Sequence, residues 1–142
     1  MDKAYEFLAD GILVVKDGKV VGCGEAEGML SKFRGQGLRV KDCSKHLIIP
    51  GFVDTHIHFP QIDMIGAYGE QLLEWLQTYT FPTEAKFADR AYAAQVAEVF
   101  CDEMLRSGTT TALVFCTVHK ESTDALFEAA ERRNMLLIAG KV

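Results

Sequence analysis

Two histidines set two residues apart, His56 and His58, close the run Pro50-Gly-Phe-Val-Asp-Thr-His-Ile-His58. In a strand, side chains at i and i+2 project from one face, so both imidazoles can converge on a single ion while Ile57 packs behind them. Imidazole nitrogen is a ligand for zinc, and a pair presented in this way reads as half of a metal site. A catalytic zinc takes three protein ligands and leaves one position for water, so the pair needs further ligands. The competing reading is one core histidine and one loop histidine, and the His-x-His spacing at a strand end favours the metal half-site over it.

The elements that must hold this pair follow from hydrophobic periodicity. Over residues 1–46, short apolar runs alternate with turn residues, which predicts a small antiparallel β domain. Its clearest unit is Gly11 to Gly22, where Asp17-Gly18 supplies a tight hairpin turn between β-branched runs. Pro50-Gly51 marks a boundary before an apolar strand from Phe52 to Ile57. From about Asp89 to Ser107, the apolar residues Val96, Val99, Phe100, Met104 and Leu105 fall near helical spacing, with Asp89 as N-cap and Gly108 as stop. Thr109 to Val118 reads as a buried strand. Ser122 to Arg133 reads as a helix with Leu126, Phe127 and Ala130 inward and Asn134 ending it, and Met135 to Val142 as a third buried strand. This βαβαβ order predicts an α/β fold with parallel strands and right-handed crossovers.

An eight-stranded α/β barrel takes about 250 residues. A chain of 142 residues is therefore expected to supply, over residues 47–142, only the first three β/α units of such a barrel, truncated within the third strand. Active sites of these barrels lie at the C-terminal ends of the strands, where His56 and His58 fall.

Composition narrows the function classes. A hydrophobic content of 49% suffices for a sizeable core, and a net charge of -5 argues against a nucleic-acid surface. No run of about 18 apolar residues is present to span a membrane. The opening Met1-Asp-Lys-Ala-Tyr-Glu-Phe-Leu places acids where a signal peptide would need apolar residues, so a cytoplasmic location is expected by default. Cys23, Cys43, Cys101 and Cys116 form no Cys-x-x-Cys and are expected to be free thiols. The zinc deaminases that act on flipped bases, which need His-x-Glu and Pro-Cys-x-x-Cys, are excluded.

Pro50-Gly-Phe-Val-Asp-Thr-His-Ile-His58 resembles the first-strand signature of the amidohydrolase superfamily. The continuation through Phe59-Pro-Gln61, Leu72-Leu-Glu-Trp-Leu-Gln-Thr-Tyr-Thr-Phe-Pro82 and Gly108-Thr-Thr-Thr-Ala-Leu-Val-Phe115 is similar to the guanine deaminase family within it. The β-rich start resembles the small domain that precedes the barrel in these enzymes. The resemblance implies hydrolytic deamination of guanine to xanthine and ammonia, a step of purine catabolism, with one zinc ion per site making hydroxide available and a glutamate moving protons. His56 and His58 match the family's first two zinc ligands. Gln61 matches its substrate-binding glutamine, whose amide offers a donor and an acceptor to a purine edge. The remaining ligands, a histidine and an aspartate, and the catalytic glutamate lie on later strands in the family. No catalytic group is therefore assigned within this chain, which is expected to be inactive alone, and a homodimer is implied for the full-length protein.

Other residues carry two readings each. Asp54 faces the same side as His56 by strand alternation, as an acceptor for a ligand N–H or as a structural group at the strand's base. His119 follows the second barrel strand and is expected at the rim, whereas His46 precedes the first, on the side away from the chemistry. Trp75, with Leu72, Leu73 and Phe81, either walls an apolar slot for a planar purine or packs a short amphipathic helix with Glu70 and Glu74 on its wet face. Two alternatives to a guanine deaminase stand beside it: another amidohydrolase acting on an aminopurine, pyrimidine or triazine, and a non-catalytic interaction module built on the barrel's first third.

Overall fold

The computed structural model describes residues 6–69 and 71–142. The chain divides into two compact units, Met1–Ile49 and Pro50–Val142. In the first, β1 (Gly11–Lys16) and β2 (Lys19–Glu25) form an antiparallel hairpin. Asp17 and Gly18 both take positive φ, 51° and 74°, the type I′ geometry that matches the strands' twist. The expectation of strands throughout this region needs correction. Ala26–Phe33 is a helix, α1, whose buried Met29 packs over the hairpin at Gly22 and Gly24, and residues 34–46 add no further strand. A Cβ on Gly22 would come within 2.4 Å of the Met29 methyl, so the missing side chain is what lets the helix sit so close.

The second unit is a three-stranded parallel sheet, in the order β3-β4-β5, with two long helices. Its strands are β3 (Phe52–His58), β4 (Thr109–Phe115) and β5 (Leu136–Gly140). After β3 come a 3-10 turn (Phe59–Met64), α2 (Leu72–Trp75), a π turn (Leu76–Thr80), α3 (Phe81–Ala85) and a second 3-10 turn (Lys86–Ala88). Pro82 lacks the N–H that would close a regular α turn, which explains the π turn just before it. The crossover helices are α4 (Arg90–Arg106) and α5 (Lys120–Arg132).

Local signals placed these elements well. The Asp89 carboxylate accepts hydrogen bonds from the N–H groups of Ala91 (2.8 Å) and Tyr92 (3.4 Å), so it caps α4, and Gly108 leaves the helix at φ 84°. Asn134 takes φ 55° after α5. Both helices pack on one face of the sheet. Val96, Phe100 and Met104 of α4 and Leu126 and Ala130 of α5 share a core with Ala112 and Val114 of β4. Val99 and Leu105 lie on the outer side of α4, and Phe127, expected inward, is 41% exposed. Arg133 joins the two helices: its guanidinium donates to Asp102 and Glu98, at 2.7 Å each, and to the Ala129 carbonyl at 3.1 Å. No described helix is long and apolar enough to cross a membrane.

Candidate metal centre

Where β3 ends, its register against β4 changes. Asp54 pairs with Ala112 and Ile57 with Val114, so β3 carries one extra residue between them. A bulge of this kind re-aims the side chains that follow it. The Asp54 carboxylate sits at the bulge and accepts the backbone N–H of His56 at 2.9 Å. Asp54 thus holds the backbone of β3, the structural one of its two readings, and it borders the same cavity as His56 and His58.

Within and just after the bulge, the two imidazoles come together. Their Nε2 atoms are 3.3 Å apart. Both rings rest on Phe115 at the end of β4, with centroids at 4.8 Å for His56 and 4.9 Å for His58, the latter nearly parallel at 18°. Two unprotonated nitrogens held face to face would set lone pair against lone pair, so a proton or a cation belongs between them. Zinc–nitrogen bonds of about 2.0–2.1 Å at a tetrahedral angle place two ligand nitrogens about 3.3 Å apart, so the observed pair fits such an ion. Burial, and then the charge of His56, lower the pKa of His58 and favour the neutral ring that a metal requires. Among the described residues, no group of three or more His, Cys, Asp or Glu side chains gathers at one point.

Gln61 lies on the 3-10 turn that continues β3, and Trp75 ends α2. His56, His58, Gln61 and Trp75 all line one open cavity of about 620 Å³ along the free edge of β3, with Phe100 and Met104 of α4 also bordering it. The Trp75 indole N–H donates to the Ala67 carbonyl at 3.0 Å, and a Cβ on Gly69 would lie 2.5 Å from the ring. Trp75 thus clamps the Ala67–Gly69 loop while presenting part of its ring to the cavity. Leu72, Leu73 and Phe81 are exposed and do not border this cavity. Glu74 is exposed, and the placement of Glu70 on a wet face lies outside the described residues.

His119 is half-buried at the start of α5, with its N–H donating to Thr117 Oγ1 at 3.1 Å. It does not border the cavity of the paired histidines. Its charge opposes the rise that burial imposes on the pKa of Glu84. His46 belongs to the first unit, with its N–H on the Cys43 carbonyl at 2.8 Å. Phe115, which aligns both imidazoles, is not singled out by the sequence reading, although its place at the end of the apolar strand that neighbours β3 is a usable signal.

Residues 47–142 match the amidohydrolase family. Guanine deaminase of Escherichia coli (strain K12) is 55% identical over 139 residues, covering 98% of this chain and 31% of that protein. Among solved structures, E. coli guanine deaminase superposes with a TM-score of 0.86 at 56% identity, over 92% of this chain and 30% of that one. Guanine deaminase from C. acetobutylicum, solved with guanine in its active site, superposes at 0.78 with 33% identity, over 90% of this chain and 30% of that one. The chain thus spans about a third of the length of the curated relatives it matches.

Proposed function

The chain belongs to the amidohydrolase family, and on that footing we propose that it forms the amino-terminal part of a zinc-dependent guanine deaminase built on a (β/α)8 barrel. The protein would convert guanine and water to xanthine and ammonia. The observation that carries this reading is the 3.3 Å separation of the His56 and His58 Nε2 atoms at the end of a parallel strand.

His56 and His58 would hold the ion, on the rigid floor that Phe115 provides. A bound zinc ion supplies Lewis acidity that brings the pKa of water down toward about 7. Gln61 would contact the purine edge, its carbonyl accepting from a ring N–H and its amide donating to a ring acceptor. Trp75 would offer a ring edge beside the flat substrate, and the apolar lining from Phe100 and Met104 would limit water. The proton transfers to the departing nitrogen are assigned, by family resemblance, to a glutamate on a later strand, with the remaining ligands also there. Residues of this chain bind and orient. A cytoplasmic homodimer belongs to the same proposal.

The test is ammonia release from guanine by the purified full-length protein, beside a panel of other aminopurines, pyrimidines and triazines. Guanine is expected to be the preferred substrate. Turnover of another ring in its place would move the assignment elsewhere in the family, and inertness toward every ring would favour the interaction-module reading.

A further inference from the structure

The turn that carries Gln61 is short and has three residues per revolution, so its residues fall on three faces. Phe59 lies in the core, and Ile62 packs against it while also bordering the cavity of the paired histidines. Gln61 and Met64 face the cavity of the paired histidines. Asp63 lies on the remaining face, and its carboxylate accepts a hydrogen bond from the Tyr92 hydroxyl.

Tyr92 is itself firmly placed. It sits in the first turn of α4, where its N–H is capped by Asp89. Its ring meets Phe87 edge-on at 5.1 Å, and Phe87 meets Phe59 edge-on at 5.0 Å, so one aromatic chain runs from Tyr92 to the residue that follows His58. Lys86 Nζ lies 5.8 Å from the centre of the Tyr92 ring.

We propose that Tyr92 is a positioning residue: by holding Asp63 against α4, it fixes the rotation of the Phe59–Met64 turn and so aims Gln61 at the space beside His56 and His58. This inference rests on the reading of Gln61 as a purine contact. Rotation by one residue of such a turn swings a side chain through about 120°, enough to remove Gln61 from the cavity. Burial, together with the hydrogen bond to Asp63 and its charge, raises the phenol pKa to about 12, so the hydroxyl remains a donor at working pH.

The test compares guanine kinetics of the full-length protein with those of Tyr92→Phe, Asp63→Ala, Asp63→Asn and the double variant Tyr92→Phe/Asp63→Ala. Loss of one charge-assisted hydrogen bond at a partly exposed site is expected to raise KM about five- to tenfold, with kcat within about twofold. Asp63→Asn keeps an acceptor oxygen and should restore a KM near that of the wild type. The double variant should be no worse than either single one. The ultraviolet titration of the phenol should move down in Asp63→Ala, yet stay above that of a free tyrosine because the burial of the ring remains. Unchanged KM in both Tyr92→Phe and Asp63→Ala, in protein whose wild type turns over guanine, would overturn the positioning role. A folded, zinc-loaded wild type inert toward guanine would instead overturn the functional reading beneath it. Should Tyr92→Phe fold poorly, the exposed Asp63→Ala change reads the same contact.

Discussion

Truncating Phe59 should loosen the histidine-bearing strand β3 and its turn together. Phe59 follows His58, is fully buried, and packs against Phe87 and Phe100 with ring centroids at 5.0 and 5.4 Å. Phe59→Ala removes the ring from a filled core, at a cost of about 4 kcal/mol. Phe59→Leu keeps most of the apolar volume but loses two aromatic pairs worth about 0.5–1.5 kcal/mol each, a loss of about 2 kcal/mol. Global stability is typically about 5–15 kcal/mol, so even the alanine variant can fold, with local opening close to the cost of truncation. Amide hydrogen exchange of peptides spanning the Phe59–Met64 turn reads that opening within the full-length protein. Exchange should accelerate about 1,000-fold for Phe59→Ala and about 30-fold for Phe59→Leu. Phe127→Ala supplies the contrast: that ring is 41% exposed, and exchange in its peptide should change less than about fivefold. If Phe59→Ala left exchange over the turn within fivefold of wild type, the account of the turn as locked into the core would be wrong.

The other predictions concern the helices and the thiols. Hydrogen bonds from Arg132 and Arg133 hold the Glu98 carboxyl below the usual glutamate range. A carboxylate with a depressed folded pKa contributes stability that is fully present above its unfolded value of about 4.3 and is lost as pH falls through the folded value. Thermal melts of Glu98→Gln should accordingly show a flatter loss of stability below about pH 4.5 than wild type, and superimposable acid limbs would contradict the network. Burial pushes the Cys101 thiol up to about 11 and raises that of Cys116 as well, whereas Cys23 is exposed. Alkylation mapped by peptide mass spectrometry near neutral pH should mark Cys23 first and reach Cys101 and Cys116 only on unfolding; early modification of Cys101 would refute its burial. Asp89→Ala should cost about 1 kcal/mol by removing the cap of α4, measured as a lowered melting temperature.

What could be read from the sequence was whatever depends on neighbours in the chain. Asp89 and Gly108 bracket α4 because a cap and a left-handed exit are local requirements. Asp17-Gly18 marks its hairpin for the same reason, and the His-x-His spacing survives because a strand's period of two is local. Tertiary preferences were not readable in this way. The helix α1 follows a hairpin in a region of short apolar runs, and its signal, Met29 and Phe33 four residues apart, was outweighed by the strand-like alternation around it. The bulge between Asp54 and Ile57 depends on the register with β4, so nothing within β3 itself marks it. Phe127 faces outward because α5 meets its neighbours through Leu126 and Ala130, a choice made by packing. The link from Asp63 to Tyr92 spans 29 residues and exists only once α4 has folded back over the turn.

The most direct test of the account is the zinc content and affinity of the purified full-length protein, measured by elemental analysis and chelator competition for wild type, His56→Ala and His58→Ala. Structural zinc sites bind with about 10–16 kcal/mol spread over four ligands, so removing one imidazole should weaken binding by about 100- to 1,000-fold. The account predicts one zinc ion per chain in the wild type, its loss at matched chelator concentration in each variant, and parallel loss of guanine turnover. Wild-type zinc affinity retained in His56→Ala and His58→Ala would contradict it.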